Sequence, residues 1–341
     1  MAVVAVLGVL PVVAGTGVAS ANPALCGMVV SQSTTLTSDV GPCDGTAIEV
    51  TANNVVLNLG GKRVLGVAGA TGEGPGILVA GRTGVTVRNG TVRHFDAGVA
   101  IEGGSGNIVQ GVTAKDNIGT GDYGDGIVVF FSHRNRILNN VADHNGPYGG
   151  IDIVGNADEN VVEGNRVVNN NIPSGVAHPG APQTQQDDGI RVEALGPNAT
   201  PDRNVVRGNT VLANGLDGIA VFPNAKDNQI LGNTVRDNGF LGNARRGDGI
   251  HVFGFAARNL VQGNTVQNNA RHGIRVDPTP VIEPNVQNRI LGNVVTGNGT
   301  DPGEGEDGYD LSDGNRFCDG NLWQGNQHVT EDPVAGVDCY N

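Results

Sequence analysis

Aromatic residues are scarce in this chain, 4% of 341, with one tryptophan and two methionines. A core assembled from bulky rings is thereby excluded, and the interior must be filled by small and β-branched side chains. No apolar run after residue 18 is long enough to cross a bilayer as a helix. Bases are in deficit, 21 lysines and arginines against 34 acids, for a formal net charge of -13. A nucleic-acid partner needs a basic face, so none is expected here. The same balance disfavours a polyanionic glycan unless calcium bridges the charges. Cysteine is limited to four positions near the two ends, Cys26 and Cys43, Cys318 and Cys339. Redox or metal chemistry would gather them in one place. Local pairing, Cys26 with Cys43 and Cys318 with Cys339, would instead staple both ends of an elongated fold.

What the chain has in quantity is glycine, 55 residues, and one short pattern that recurs between residues 98 and 329. It reads Gly-Ile-x-Val, a variable stretch, then Asn-x-x-x-Gly-Asn-x-Val-x-x-Asn. One copy carries Gly218-Ile219, Asn228, Gly232-Asn233 and Asn238; the next carries Gly249-Ile250, Asn259, Gly263-Asn264 and Asn269. The shared core of about 22 residues is too short for a helical pair, and its apolar residues alternate as in strands. Such a unit cannot bury its own apolar face and must stack on its neighbours. Three asparagine columns follow, headed by Asn107, Asn140 and Asn117. In strands about 4.8 Å apart, identical amides in register form hydrogen-bonded ladders. Their regularity marks them as structural, and the acid ahead of the Gly-Ile pair or its equivalent (Asp125, Asp188, Asp217, Asp248, Asp307) reads as a turn residue.

These repeats resemble the right-handed parallel β-helix of the pectate-lyase-like superfamily, including its carbohydrate-binding and sugar-hydrolase branch. The resemblance implies an all-β right-handed parallel β-helix solenoid of about ten coils, with three short strands per coil. It also implies a polysaccharide as partner. The run Gln186-Asp187-Asp188-Gly189 resembles one motif of the polygalacturonase-like hydrolases, and His272-Gly273-Ile274-Arg275 resembles two others distantly. Residues 2–18 are apolar and precede Ala19-Ser20-Ala21, a small-x-small cleavage signal. The expected organisation is therefore a signal peptide over 1–21, an N-terminal cap over 22–46, the β-helix over 47–329 and a C-terminal cap over 330–341. The protein is expected to be secreted.

A solenoid concentrates function where its repeat is broken. The large insertions, 171–187, 194–203, 239–247, 277–287 and 299–306, all flank the Gly-Ile-x-Val strand. Walls at both ends of one strand column make that column the floor of a groove. Strand alternation then names the outward residues. The first column reads Val128, Asp152, Arg191, Ala220, His251, Arg275, Asp310, and the second Phe130, Val154, Glu193, Phe222, Phe253, Asp277, Ser312. Carboxylates and guanidinium groups bond sugar hydroxyls, while flat aromatics pack on pyranose rings. Candidate catalytic residues are Asp152, Glu193, His251, Arg191 and Arg275; candidate substrate contacts are Phe222, Phe253, Phe130 and Asp277.

Three chemistries compete. Glycoside hydrolysis would use Asp152 and Glu193 as its two carboxyl groups, roughly 8 Å apart on adjacent coils, in the inverting range. β-Elimination would use His251 as base, with Arg191 and Arg275 neutralising a uronate. The third is glycan binding without chemistry. Tyr123, Tyr148 and Tyr309 fall near the groove edge. No cofactor is required by any motif; the acidic loop from Asp301 to Asp307 makes calcium the one candidate.

Overall fold

The computed structural model describes residues 25–68, 74–119, 123–171, 188–196, 198–239, 247–277, 286–300, 307–315, 318, 320–333 and 339–340. The expected signal peptide lies outside them. So do residues 172–187, 240–246, 278–285 and 301–306 of the insertions, and most of the acidic loop proposed for calcium.

Every paired strand among the described residues is parallel, and each coil stacks on the next in register. The repeated Ile-x-Val segments form one 11-stranded sheet that runs from Met28–Val30 to Leu311–Asp313. Its inward column, Ile127, Ile151, Ile190, Ile219, Ile250 and Ile274, is fully buried in direct register. The second inward column, Val129, Ile153, Val192, Val221, Val252 and Val276, is likewise sealed from solvent. Each such side chain contributes about 1.5–3 kcal/mol on burial, which is how a chain poor in aromatics holds its core. Two further strand columns close each coil; in Thr86–Arg93 and Ile108–Lys115 they run on as single strands. This is the three-stranded parallel β-helix the repeats call for. The first coil already contains Met28–Val30, Thr34–Thr35 and Val40–Cys43, inside the segment expected as a cap.

The asparagines form the expected ladders. Asn233 donates its backbone N–H and its Nδ2 to Oδ1 of Asn264, at 2.8 and 3.0 Å, and receives the same pair from Asn209, at 2.9 and 3.0 Å. Its Nδ2 also reaches the Val206 carbonyl at 2.9 Å. Donors and acceptors are both consumed, so a buried amide carries no unmet polar atom. The glycine of Gly-Ile-x-Val is dictated by the core and by the Asn214–Asn238–Asn269 ladder: a Cβ on Gly218 would sit 2.3 Å from Val235 Cγ1 and 2.8 Å from Asn238 Nδ2.

Both ends are stapled as expected. Cys26 pairs with Cys43 and Cys318 with Cys339, and no described cysteine is free. At the C-terminal end Trp323 is 1% exposed, donates Nε1 to Asp313 Oδ2 at 2.8 Å, and meets Tyr340 edge-on.

Candidate functional site

The groove strands bring Val128, Asp152, Arg191, Ala220, His251 and Arg275 side by side, as the alternation requires. The last coil departs from it. Ser312, not Asp310, stands beside Arg275, and Ser312 therefore leaves the second column. Asp310 takes the place of the repeat's glycine and turns inward. No further asparagine follows Asn298 in its ladder, and the Asp310 carboxylate fills that place. Asp307, grouped with the recurring acids, is exposed and lies ahead of that column, where Tyr309 stands.

The five candidate catalytic residues do not converge on one point. Arg191 and His251 are separated by the coil of Ala220, and they anchor two clusters about 10 Å apart along the sheet.

The first cluster lies under a groove of about 610 Å³ lined by Glu102, Tyr123, Asp125, Phe130, Tyr148, Asp152, Arg191, Glu193 and Leu195, among others. Asp152 is 2% exposed, and its carboxyl is pushed well above the usual carboxylate range, by burial first and then by the charge of Asp125. Burial raises Asp125 as well, and its carboxyl accepts the Gly124 N–H at 3.2 Å. Arg191, an outward residue of the strand expected to neutralise a uronate, is only 1% exposed. Its guanidinium donates to Glu193 Oε2 at 2.6 Å, lies 3.4 Å from Asp188 and 3.9 Å from Asp152, and is covered by the Phe222 ring at 4.5 Å. Its work is to hold Glu193 and to neutralise buried acid. Asp188 is also raised well above its ordinary value by burial and by Asp217. At the groove edge the Tyr123 hydroxyl donates to Glu102, whose own carboxyl is raised by burial.

The second cluster centres on His251. Its Nδ1 lies 2.9 Å from Asp217 Oδ2 and 3.7 Å from Asp248, and its Nε2 3.9 Å from Asp277. Burial pulls the ring's pKa down, but Asp217, Asp277 and Asp248 more than offset this and lift it to about 9. His251 is thus an imidazolium at neutral pH, within 4 Å of three carboxylates, with Arg275 beside it in register and Arg191 two coils away. A ring already protonated does not serve as the base expected of it. Asp248 is held far below its ordinary range: burial raises it, and Arg271, with Nε and Nη2 at 2.9 and 2.7 Å, outweighs that. Arg275 pairs with Asp277 at 2.8 Å. His272 is lowered to about 4 by burial, and its Nδ1 accepts the Tyr309 N–H. Phe253 stacks on His251 at 5.0 Å and meets Phe222 edge-on at 5.1 Å, so both rings roof the charges.

The residues that sequence reasoning passed over are Asp125, Asp188, Asp217 and Asp248. They were read as turn residues, and one oxygen of three of them does such work: Asp188 accepts the Asp217 N–H, Asp217 the Asp248 N–H, and Asp248 the His272 N–H. Their other oxygens face the two clusters. The available signal was the column itself, which turns ionisable or aromatic only beside the groove: Ala97, Asp125, Gly149, Asp188, Asp217, Asp248, His272, Tyr309.

Residues 47–240 match the family described as periplasmic copper-binding protein (NosD). The chain belongs to the NosD family. Residues 186–341 of this NosD-family chain also match the right-handed β-helix region, which settles the hand of the coil. No curated protein matches it in sequence. Solved structures share its fold at low identity. The A-module of the Azotobacter vinelandii mannuronan C-5 epimerase AlgE4 is 15% identical with a TM-score of 0.61, over 92% of this chain and 80% of that one. An alginate lyase from Paenibacillus sp. is 13% identical with a TM-score of 0.57, over 90% and 99%. The Dettilon tailspike protein is 17% identical with a TM-score of 0.54 over 87% of this chain, which spans only 53% of the tailspike.

The family's description invites a test for copper. Among the described residues one group, Asp217, Asp248 and His251, brings three ligand atoms within 4.8 Å of one another. Copper favours imidazole, thiolate and thioether donors. This group offers one imidazole, already protonated, and two carboxylates, one of them clamped by Arg271; every described cysteine is in a disulfide. Two carboxylates suit a hard cation better. The NosD-family chain does not bring together a copper donor set in its described residues.

Proposed function

We propose that the protein binds an extended, neutral polysaccharide along the outer face of the 11-stranded sheet and hydrolyses it over the first cluster. The observation that carries this reading is Asp152. Burial and Asp125 bias its carboxyl to the protonated form at the groove floor, while Glu193 stands two residues farther along the neighbouring coil. Strands about 4.8 Å apart, with an offset of about 6.7 Å, separate the two backbones by roughly 8 Å, a spacing that suits an inverting pair. Environments that make two carboxyl groups differ are what acid and base assignments require. Asp152 would protonate the glycosidic oxygen. Glu193, oriented by Arg191, would activate the water on the opposite face of the sugar.

The groove's charge supports a neutral chain. Even with Asp152 protonated, the lining acids Glu102, Asp125 and Glu193 outnumber its lining cation, Arg191. A uronate polymer would meet repulsion there, and the structural likeness to alginate-acting proteins extends to fold alone. Phe130, Tyr123 and Tyr148 supply flat or amphipathic surface for pyranose rings. Elimination at the second cluster is supported less, because a protonated His251 has no lone pair with which to take the proton. The alternative is a glycan-binding protein without chemistry. The two disulfides support a place outside the cytoplasm.

The test is incubation with neutral and uronate polysaccharides, read as reducing ends and as absorbance of unsaturated uronates. Reducing ends without that absorbance, lost at least about a hundredfold in Asp152→Asn, are expected. Absorbance from a uronate polymer would overturn the hydrolase reading. Retention on a glycan gel with no product would leave the binding protein.

A further inference from the structure

Consecutive coils leave the groove strand through one repeated backbone step. The N–H groups of Gly81, Gly103, Phe131 and Gly155 donate in turn to the carbonyls of Glu102, Phe130, Val154 and Glu193 on the next coil. Gly254 makes the same bond to Asp277. All five residues are left-handed, with φ of 63° at Gly81, 63° at Gly103, 48° at Phe131, 83° at Gly155 and 62° at Gly254. Glycine adopts that conformation without steric cost, and a bulky side chain does not. Among these coils Phe131 alone carries a ring there. Strain retained where a cheaper residue serves the neighbours points to function.

The ring's surroundings say what it does. It lies edge-on to Phe130, 4.8 Å between centroids, and Phe130 lines the groove. Beneath it is Gly155, where a Cβ would fall 2.6–2.9 Å from three Phe131 ring carbons and displace the ring. The ring is seated on bare backbone, yet the residue keeps 42% of its surface exposed. Core packing does not account for it. Leu195, 49% exposed, lines the same groove two coils farther on.

We propose that Phe131 is a stacking platform that extends the groove by one sugar ring. This rests on the groove being a neutral-glycan site. The C–H face of a pyranose would lie on the exposed ring, Phe130 would buttress it from the groove side, and Gly155 would keep the ring flat.

The experiment is titration calorimetry of the full chain with hexasaccharides of β-1,4-linked glucose, mannose and xylose. Wild type is compared with Phe131→Gly, which restores the residue of the neighbouring coils, and Phe131→Trp, which keeps a platform. Phe131→Gly should melt no lower than wild type and bind about five- to tenfold more weakly. Phe131→Trp should bind as well as wild type or better. Wild-type binding that Phe131→Gly leaves unchanged overturns the platform while leaving the groove intact. A lower melting temperature at unchanged affinity makes Phe131 a packing residue and overturns it too. No binding of any hexasaccharide by wild type removes the groove reading and the platform together.

Discussion

Asn298 donates both its backbone N–H and its side-chain Nδ2 to one oxygen of Asp310, each at 3.0 Å. A carboxylate thus ends a column otherwise made of asparagine. The reason lies on its other side, where Asp310 Oδ2 accepts the N–H groups of Val329 and Thr330 at 2.9 and 3.2 Å. The final coil needs acceptors in both directions, and an amide has only one oxygen. Asp310→Asn should therefore cost about 1–3 kcal/mol, because its NH2 would face donors. Urea unfolding measures this; an unchanged midpoint would refute the assignment.

Within the ladder the prediction has the same physics and a different readout. Asn233→Ala strips partners from Asn209 and from the Val206 carbonyl, and should also cost at least about 1–3 kcal/mol. Asn233 lies at the corner between strands Gln229–Leu231 and Thr234–Arg236, away from the groove sheet, so binding and turnover per folded molecule should not change. A loss of activity larger than the loss of folded protein would show that the ladders do more than hold the coil.

His251 makes stability fall at high pH. Its folded pKa of about 9 lies above the ordinary 6.5. The stabilisation is fully present below about pH 6.5 and is lost as pH rises through about 9. Asp217→Asn keeps an oxygen for the Asp248 N–H but removes the charge beside the ring. The variant should be less stable than wild type at neutral pH, and the two curves should converge above about pH 9. Proton NMR titration of the ring would show the midpoint dropping. An ordinary midpoint in wild type would contradict the geometry.

Asp152 acts in the opposite sense. Its folded pKa is raised, chiefly by burial, while in the unfolded chain the group ionises near its ordinary value of 3.8. Unfolding is therefore increasingly favoured as pH rises above about 4. Asp152→Asn should leave stability unchanged near pH 4 and raise the melting temperature at neutral pH, while abolishing turnover. Gain of stability with loss of function marks a buried acid kept for chemistry. A variant that loses both was holding the fold.

His272 gives the acid limb. Burial lowers its pKa to about 4, so the folded state resists protonation that the unfolded chain accepts near 6.5. Its contribution is present above about pH 6.5 and is lost as pH falls toward 4. His272→Gln should flatten the stability profile across that interval, as followed by melting temperature. A profile unchanged from wild type would place the acid sensitivity elsewhere.

The fold was legible in the sequence because its determinants are local and repeated. Alternation in Gly-Ile-x-Val, the five-residue spacing between asparagines and the bare Gly218 beneath the ladder each recur in successive coils, so stacking has a single register to adopt. Cysteine pairing was legible for a similar reason, since each pair brackets one terminal coil. Alternation also named Asp152, Glu193 and His251 as residues of one face.

What only the tertiary structure decided is how those side chains use their charges. Strand periodicity says which way a side chain leaves the backbone, not what covers it afterwards. Arg191 points outward and is still sealed beneath Phe222, with its guanidinium shared among Glu193, Asp188 and Asp152. His251 became a cation because Asp217, Asp248 and Asp277 arrive from its own and flanking coils. Phe131 became conspicuous only when its neighbours' φ angles were known. Burial and the sum of neighbouring charges are properties of the assembled coil, and they set protonation by free energies of several kcal/mol that no single repeat contains.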